Sequence, residues 1–311
     1  MTALSASWNY PTQIHFGQGQ AQQLASLCKE LFIARPLFVT DPGIAPLAMF
    51  QASVQNCQAQ GLNCEVFSDI HSNPTEQDVF SGVEAYKQAQ CDGVIAFGGG
   101  SAIDGAKAIA LMVGQTRPIW DFEDIGDNWR RVDTNGLAPV IALPTTAGTG
   151  SEVGRASVIT DTEQKRKRLL FHPNMMPAHV ILDPLLSRDL PPKLTAATGM
   201  DALSHALEAY CANGFHPMAD GIATQAISLI EQNLINAFHD GHNLEVRGNM
   251  LVASSMGAIA FQKGLGAMHA LAHPLGAQYN AHHGLLNAIL MPYVLSANRS
   301  AINTKLKLLA R

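Results

Sequence analysis

Charged and aromatic side chains are scarce in this chain, at 14% and 6% of residues, against 47% hydrophobic. A sequence this poor in charge and this rich in apolar residues buries a core, which excludes intrinsic disorder. Excess positive charge is lacking too. The formal net charge of -5 at pH 7 repels phosphates and anionic lipid, so neither nucleic acid nor a membrane is an expected partner. Long apolar runs are absent: the longest weakly polar stretch, Met250 to Phe261, falls far short of the ~20 residues of a membrane span. The opening MTALSASWNYPTQ has neither a basic segment nor an apolar centre, so export by a classical signal is not expected. Cysteine is sparse, and Cys28, Cys57, Cys64, Cys91 and Cys211 include no C-x-x-C pair. That pattern argues against a disulfide framework or a cysteine zinc site, and it fits a reducing, cytoplasmic setting.

At 311 residues the chain is long enough for two ordinary domains. The first half alternates short apolar runs with helical patterns, through Pro36-LFVT-Asp41, Val66-Phe67, Gly93-VIAF-Gly98 and Pro139-VIAL-Pro144. Such alternation predicts an α/β domain with a parallel sheet, and runs as continuously apolar as VIAF predict strands buried on both faces. From Leu190-Pro191-Pro192 onward strand signals disappear. Helical periodicity covers Ser204 to Tyr210, Ala219 to Phe238 and Leu244 to Phe261, so residues 1–188 are expected to form an α/β domain and 189–311 an all-helical one.

Two glycine-rich loops follow predicted strands. After VIAF come Gly98, Gly99, Gly100, Ser101 and, three residues on, Asp104 at the start of a helix. Glycines let backbone N–H groups approach an anion, and the helix dipole adds positive potential, so a phosphate fits there; a tight turn with no ligand is the other reading. The usual dinucleotide fingerprint places an acid after the loop, whereas Asp41 precedes this one. Asp41 reads either as a turn residue capping its own backbone or as a carboxylate for a ribose 2'-hydroxyl, which would favour NAD over NADP. The second loop runs Thr145, Thr146, Ala147, Gly148, Thr149, Gly150, Ser151, Glu152. Two such loops at the ends of parallel strands point at one crevice.

Histidine is concentrated where strands are not: eight of twelve fall between His205 and His283. In Asp201-ALSHALEAY, Leu203, Ala206, Leu207 and Tyr210 form an apolar stripe, while Asp201, His205 and Glu208 share the opposite face. That face is either solvated or lines a cleft, where the i, i+4 Asp/His pair can chelate one ion. His269 and His273 also share a helix face, and His282 and His283 lie beyond expected breaks at Pro274 and Gly276, so a loop or new helix must bring them back. Asp201, His205, His269 and one of His282 or His283 would make an Asp/His3 site suited to Fe(II) or Zn(II).

Taken together, GGGS-x-x-D at Gly98 to Asp104, the Thr145 to Glu152 segment, GMDAxxHxxE at Gly199 to Glu208, and GxxHxxxHPxG with a later HHG at Gly266 to Gly284 resemble the iron-containing (group III) alcohol dehydrogenases, nearly from end to end. The resemblance implies a Rossmann-like NAD(P)-binding domain, a helical metal-binding domain, and hydride transfer between a small alcohol or aldehyde and the nicotinamide in the cleft between them. It further implies Asp201, His205, His269 and His283 as metal ligands, His273 as a non-ligand histidine beside the nicotinamide, and Lys167 as a lysine near the cofactor. Asp41 matches an acid linked with NAD preference, with NADP the lesser expectation. Gly98, Gly99, Gly100, Ser101, Asp104, Thr145, Thr146, Thr149 and Ser151 fall in the cofactor-binding segments. Relatives continue beyond the equivalent of Arg311, so the helical domain is expected to be shortened, with apolar surface at Leu306 to Leu309. A homodimer is among the expected assemblies.

The expected chemistry is Lewis-acid activation of the alcohol by the ion, with His273 relaying the proton. Two alternatives share the architecture: a transhydrogenase that keeps NAD bound between two organic substrates, and a lyase of the dehydroquinate synthase type. The Asp201/His205 pair speaks against the lyase. The basic run Lys165 to Arg168 is expected to be a solvated hairpin.

Overall fold

The computed structural model describes residue 10 and residues 12–310. The segment on which the export expectation rests falls largely outside these, as does Arg311. Contact density divides the described residues into two compact units, one of residues 12–146 and 151–187, the other of 147–150 and 188–310.

The first unit is built on a sheet of six strands. In chain order its elements are β1 (Gln13–Phe16), α1 (Leu24–Glu30), β2 (Pro36–Val39), α2 (Ala48–Ala59), β3 (Glu65–Phe67), α3 (Glu76–Gln88), β4 (Gly93–Gly98), α4 (Gly100–Met112), β5 (Val140–Pro144), the hairpin β6 (Ala156–Asp161) and β7 (Arg166–Phe171), and β8 (His179–Leu182). The sheet order is β1-β8-β5-β4-β2-β3 with every pairing parallel, while β6 and β7 pair antiparallel by themselves. β4 and β5 are buried along their whole lengths. Their side chains split between two cores, Val94, Ala96 and Val140 on one face and Ile95, Phe97 and Ile141 on the other. This is why both read as unbroken apolar runs.

From β2 the chain moves outward to β3 and then returns to β4 on the other side of β2. The order therefore reverses between β2 and β4, and the crevice at the carboxyl ends of those strands is where open α/β sheets bind ligands. The loops holding Asp41 and Gly98 to Gly100 start there. β1 and β8, the edge and its neighbour, carry no strand signal in the sequence reading. Their pairing, Gln13 with His179, joins residues far apart in the chain.

The second unit is helical: α5 (Pro192–Cys211), α6 (Pro217–His239), α7 (Leu244–Ala260), α8 (Ala267–Tyr279), α9 (His283–Ala297) and α10 (Arg299–Leu309). Two sequence expectations need correction. The break expected at Pro274 and Gly276 does not occur, because α8 runs through both and ends at Asn280, whose left-handed φ of 51° stops it. Pro274 removes the hydrogen bond that an N–H there would have given the Ala270 carbonyl. The basic hairpin is also less solvated than expected. Arg168 is 8% exposed, with Asp161 at 2.9 Å and Glu123 at 3.2 Å, and it lies over the Trp120 ring. Of the apolar residues expected at the surface near the end of α10, Leu308 is exposed whereas Leu306 and Leu309 are half-buried. Among the described residues no helix is long and apolar enough to cross a membrane.

Candidate active site: a metal centre and a dinucleotide crevice

α5 supplies the first half of the metal centre because Asp201 and His205, four residues apart, project from one face. That face is not solvated: Asp201, His205 and Glu208 are 2%, 5% and 6% exposed, against α8 and α9. α8 brings His269 and α9 brings His283, its first residue. One ligand atom from each of Asp201, His205, His269 and His283 falls within 4.8 Å of all the others. The His205 and His269 rings stack with centroids 4.7 Å apart, and His283 lies 5.2 Å from His269.

Hydrogen bonds fix which ring nitrogens face inward. The His205 Nδ1 lies 3.3 Å from the Gly148 carbonyl oxygen, which can only accept, so Nδ1 carries the proton and Nε2 keeps its lone pair. His269 Nδ1 donates to Glu208 Oε2 at 2.6 Å, with the same consequence. Asn287, one turn along α9 from His283, turns its amide nitrogen into the cluster, 2.8 Å from Asp201 Oδ1 and 3.2 Å from the Nε2 atoms of both His269 and His283. Two N–H bonds thus face three acceptors, and the buried Asn287 Oδ1 has no partner among the described residues. Converging lone pairs from one carboxylate and three imidazoles, with too few protons to satisfy them, fit a divalent cation of the borderline class.

Gly284 follows His283 as the second residue of α9. It does not turn the backbone, since α9 has already begun. A methyl group there would instead overlap the Ala197 carbonyl oxygen and crowd Asp201 Cβ at 3.1 Å, so glycine is what lets α9 lie against α5. His282 is exposed at the N-cap of α9 and stands outside the cluster. His273 is half-buried on α8, its ring centroid 5.2 Å from that of His283 and 6.0 Å from that of His269.

The charges suit cation binding. Burial drives the His205 imidazole down to about 4, even with Asp201 opposing it, so the ring is neutral at pH 7. Burial by itself would raise the Asp201 carboxyl, but the surrounding histidines and the Asn287 amide bring it below the usual carboxylate range. Glu208 is likewise held low against its burial by His269 and the Gly266 and Met268 N–H groups. An unfolded histidine takes up its proton near 6.5 and native His205 only near 4, so on acidification the unfolded chain binds the extra proton first. The metal-free protein should therefore lose stability as pH falls below 6.5, by about 1.6 kcal/mol between pH 6.5 and 5 from this group, the slope approaching 1.36 kcal/mol per pH unit as the unfolded histidine becomes fully protonated. Urea midpoints across that range check this, and a midpoint rising with acid would contradict it.

In the α/β unit, three loops gather at the carboxyl ends of β2, β4 and β5. Gly98 has φ 151°, and a Cβ on it would lie 2.7 Å from Ala102 Cβ, so both conformation and space demand glycine. Gly99 caps α4 and Gly100 opens it, leaving that helix's first N–H groups facing the crevice. Asp41 Oδ2 is 3.6 Å from the same Gly98 Cβ position, while its Oδ1 accepts from Gly43 and Ile44 N–H at 2.9 and 3.0 Å. The turn geometry and the crevice position therefore coexist. Thr145 N–H donates to the Gly98 carbonyl at 2.9 Å, and Thr146 lies beside Gly99. The buried hydroxyls of Thr40 and Thr145 have no partner among the described residues, which suits a polar ligand site.

Other residues of the expected cofactor set are tied up internally. Ser151 Oγ donates to Asp104 Oδ1, and Asp104 Oδ2 accepts from Val158 N–H at 3.0 Å. Buried Lys107, which the sequence reading did not single out, is 3.2 Å from Asp104 and donates to the Ser151 carbonyl at 2.9 Å. These three side chains hold the segment after β5 against α4. Ser101 Oγ donates to the Ser72 carbonyl. Lys167 stands on β7 opposite Thr160, and Thr149 belongs to the short stretch grouped with the helical unit.

Comparison with known proteins agrees with this arrangement. Residues 11–184 match the iron-containing alcohol dehydrogenase family, and residues 195–311 match the C-terminal domain of the Fe-containing alcohol dehydrogenase family. A 4-hydroxybutyrate dehydrogenase of Cupriavidus necator is 42% identical over 298 residues, which are 94% of this chain and 77% of that protein. The crystal structure of a 1,3-propanediol oxidoreductase superposes with TM-score 0.89 at 36% identity, covering 94% of this chain and 76% of the other. A sulfoacetaldehyde reductase from Bifidobacterium kashiwanohense, in complex with NAD+, superposes with TM-score 0.87 at 31% identity, covering 95% and 77%. With both of its halves matched, the chain belongs to the iron-containing alcohol dehydrogenase family.

Proposed function

We propose that this protein oxidises small primary alcohols to aldehydes, and runs the reverse reaction, by exchanging a hydride with NAD at a centre where Asp201, His205, His269 and His283 hold one divalent ion, iron first and zinc as the alternative. The observation that carries the reading is the buried Asp/His3 cluster, whose unprotonated Nε2 atoms and carboxylate converge on one point. When bound, the ion supplies Lewis acidity that lowers the pKa of an alcohol hydroxyl towards neutrality. The Gly98 to Gly100 backbone and the α4 N-terminus bind the pyrophosphate, and Thr145 and Thr146 line the same crevice. The reaction yields the aldehyde, NADH and one proton. His273, beside His269 and His283, takes that proton on a ring nitrogen and passes it to solvent.

The related proteins support a small substrate with a primary alcohol or aldehyde at one end, since they are named for 4-hydroxybutyrate, 1,3-propanediol and sulfoacetaldehyde. In this reading the α/β unit binds the cofactor and the helical unit binds the metal; Ser101, Asp104, Ser151 and Lys167 of the α/β unit belong to the cofactor-binding set, as does Thr149 of the stretch grouped with the helical unit. The free cysteines among the described residues fit a reducing, cytoplasmic location. Anaerobic purification followed by a screen of NAD and NADP reduction over primary alcohols, secondary alcohols and diols tests the function. NADH formation at 340 nm with a primary alcohol and no second acceptor is expected; turnover only when a second organic acceptor is present would favour a transhydrogenase.

NAD preference follows from Asp41, whose carboxylate faces the crevice and would repel a 2'-phosphate. Asp41→Gly should raise the NADP-to-NAD ratio of kcat/KM about tenfold or more, about 1.4 kcal/mol. An unchanged ratio would leave Asp41 as a turn residue only.

A further inference from the structure

We infer that Glu208 is a positioning residue of the metal centre: its buried carboxylate fixes the tautomer and ring orientation of His269, and so aims the His269 Nε2 lone pair at the ion. This rests on the ligand assignment proposed above and adds a residue to it.

Glu208 lies one turn beyond His205 on the face of α5 that already supplies two ligands. Its Oε2 accepts from His269 Nδ1 at 2.6 Å, and its Oε1 accepts from the Met268 N–H at 2.7 Å. The Gly266 N–H also helps hold this carboxyl below its usual range. Both the Glu208 and His269 side chains are 4% exposed, so water does not compete for these bonds. α8 has no side-chain cap of its own, and Gly266 and Met268 are its N-cap and second residues. The carboxylate from α5 satisfies the Met268 N–H, one of those that the start of a helix leaves without partners. One side chain thereby fixes both where α8 begins and how the histidine in its first turn is rotated. Imidazole ligands commonly depend on such a partner at the second ring nitrogen, and its loss typically lowers metal affinity about 10 to 100-fold.

Gly266 offers an independent handle. A Cβ there would sit 2.8 Å from Glu208 Oε1, and its φ of -135° is one any residue adopts. Gly266→Ala therefore displaces the carboxylate without removing its charge, while Glu208→Gln leaves the shape and removes the charge and one acceptor.

The test is Co(II) binding to the metal-stripped full chain, measured by chelator competition and by the visible spectrum of the bound ion, for the wild type, His269→Ala, Glu208→Gln and Gly266→Ala. Thermal midpoints of the metal-free forms are recorded alongside. The wild type should bind one Co(II) and His269→Ala should lose it, which upholds the ligand assignment. Glu208→Gln should then bind at least tenfold more weakly with a changed cobalt spectrum, and Gly266→Ala should weaken in the same direction. If Glu208 only caps α8, both variants lower the metal-free midpoint but bind Co(II) with wild-type affinity and spectrum, and that result overturns the inference. If Glu208→Gln does not fold, Gly266→Ala decides the matter. A wild type that binds no Co(II), or a His269→Ala protein that binds it normally, would remove the ligand assignment itself and the inference with it.

Discussion

The His269→Ala protein is expected to lose its metal and, with it, at least a thousandfold in alcohol oxidation, while binding NAD as the wild type does. The reason lies in where the side chain sits. His269 is the central member of the cluster, stacked on His205, near His283, and bonded to Glu208 through the nitrogen that faces away. Removing it leaves three ligands around a hole and deprives the buried Glu208 carboxylate of its imidazole partner. The losses of metal and of rate belong together, because a barrier change of about 4 kcal/mol, a thousandfold in rate, is what losing a Lewis acid entails. The Gly98 to Gly100 loop, Asp41 and Thr145 belong to a different compact unit, so the dissociation constant for NAD should stay within about twofold. Metal analysis paired with a fluorescence titration of NADH checks both halves. Normal turnover in a metal-free His269→Ala protein would dispose of the Lewis-acid mechanism.

The neighbouring histidines His282 and His283 should behave in opposite ways. His283 is the first residue of α9, its Nε2 3.2 Å from Asn287 Nδ2 and 3.6 Å from Asp201 Oδ1, whereas His282 caps the helix and is exposed. His283→Ala should cost the protein its metal and about a hundredfold or more in kcat, as the loss of a direct ligand does. His282→Ala should retain a full equivalent of metal and change substrate affinity or rate by no more than the ~10 to 100-fold seen for groups beyond the ligands. Metal content of the two purified variants decides between them. Loss of metal in His282→Ala with retention in His283→Ala would reverse the assignment.

Much of this arrangement is legible in the sequence, and the parts that are not share a physical cause. β4 and β5 announce themselves because strands buried on both faces must be apolar throughout. β1 does not, because it is an edge strand with Phe16 51% exposed, and its pairing with β8 depends on a contact across most of the α/β unit. The Asp201/His205 pair was legible as helical spacing, and His269 as its continuation in a second histidine cluster. Spacing left His282 and His283 equivalent, since the choice depends on the residue at which α9 starts. Asn287 was missed although it lies four residues after His283, because an asparagine inside an apolar helical run looks like an isolated polar residue until its neighbours are known. Glu208 was placed on the right face of α5 without a role, since its partners, Met268 and His269, are sixty residues away. Pro274 misled for the opposite reason: the local cost of proline was counted correctly, but packing of α8 carries the helix past it.

The most direct test of the central claim is an anaerobic titration of the metal-stripped protein with Fe(II), following NADH at 340 nm with NAD and a small primary alcohol in excess. The account predicts no measurable rate without metal, a linear rise up to one equivalent of iron per chain, and a plateau beyond it. A full rate in the stripped protein, or none at any iron concentration while iron is seen to bind, would contradict it.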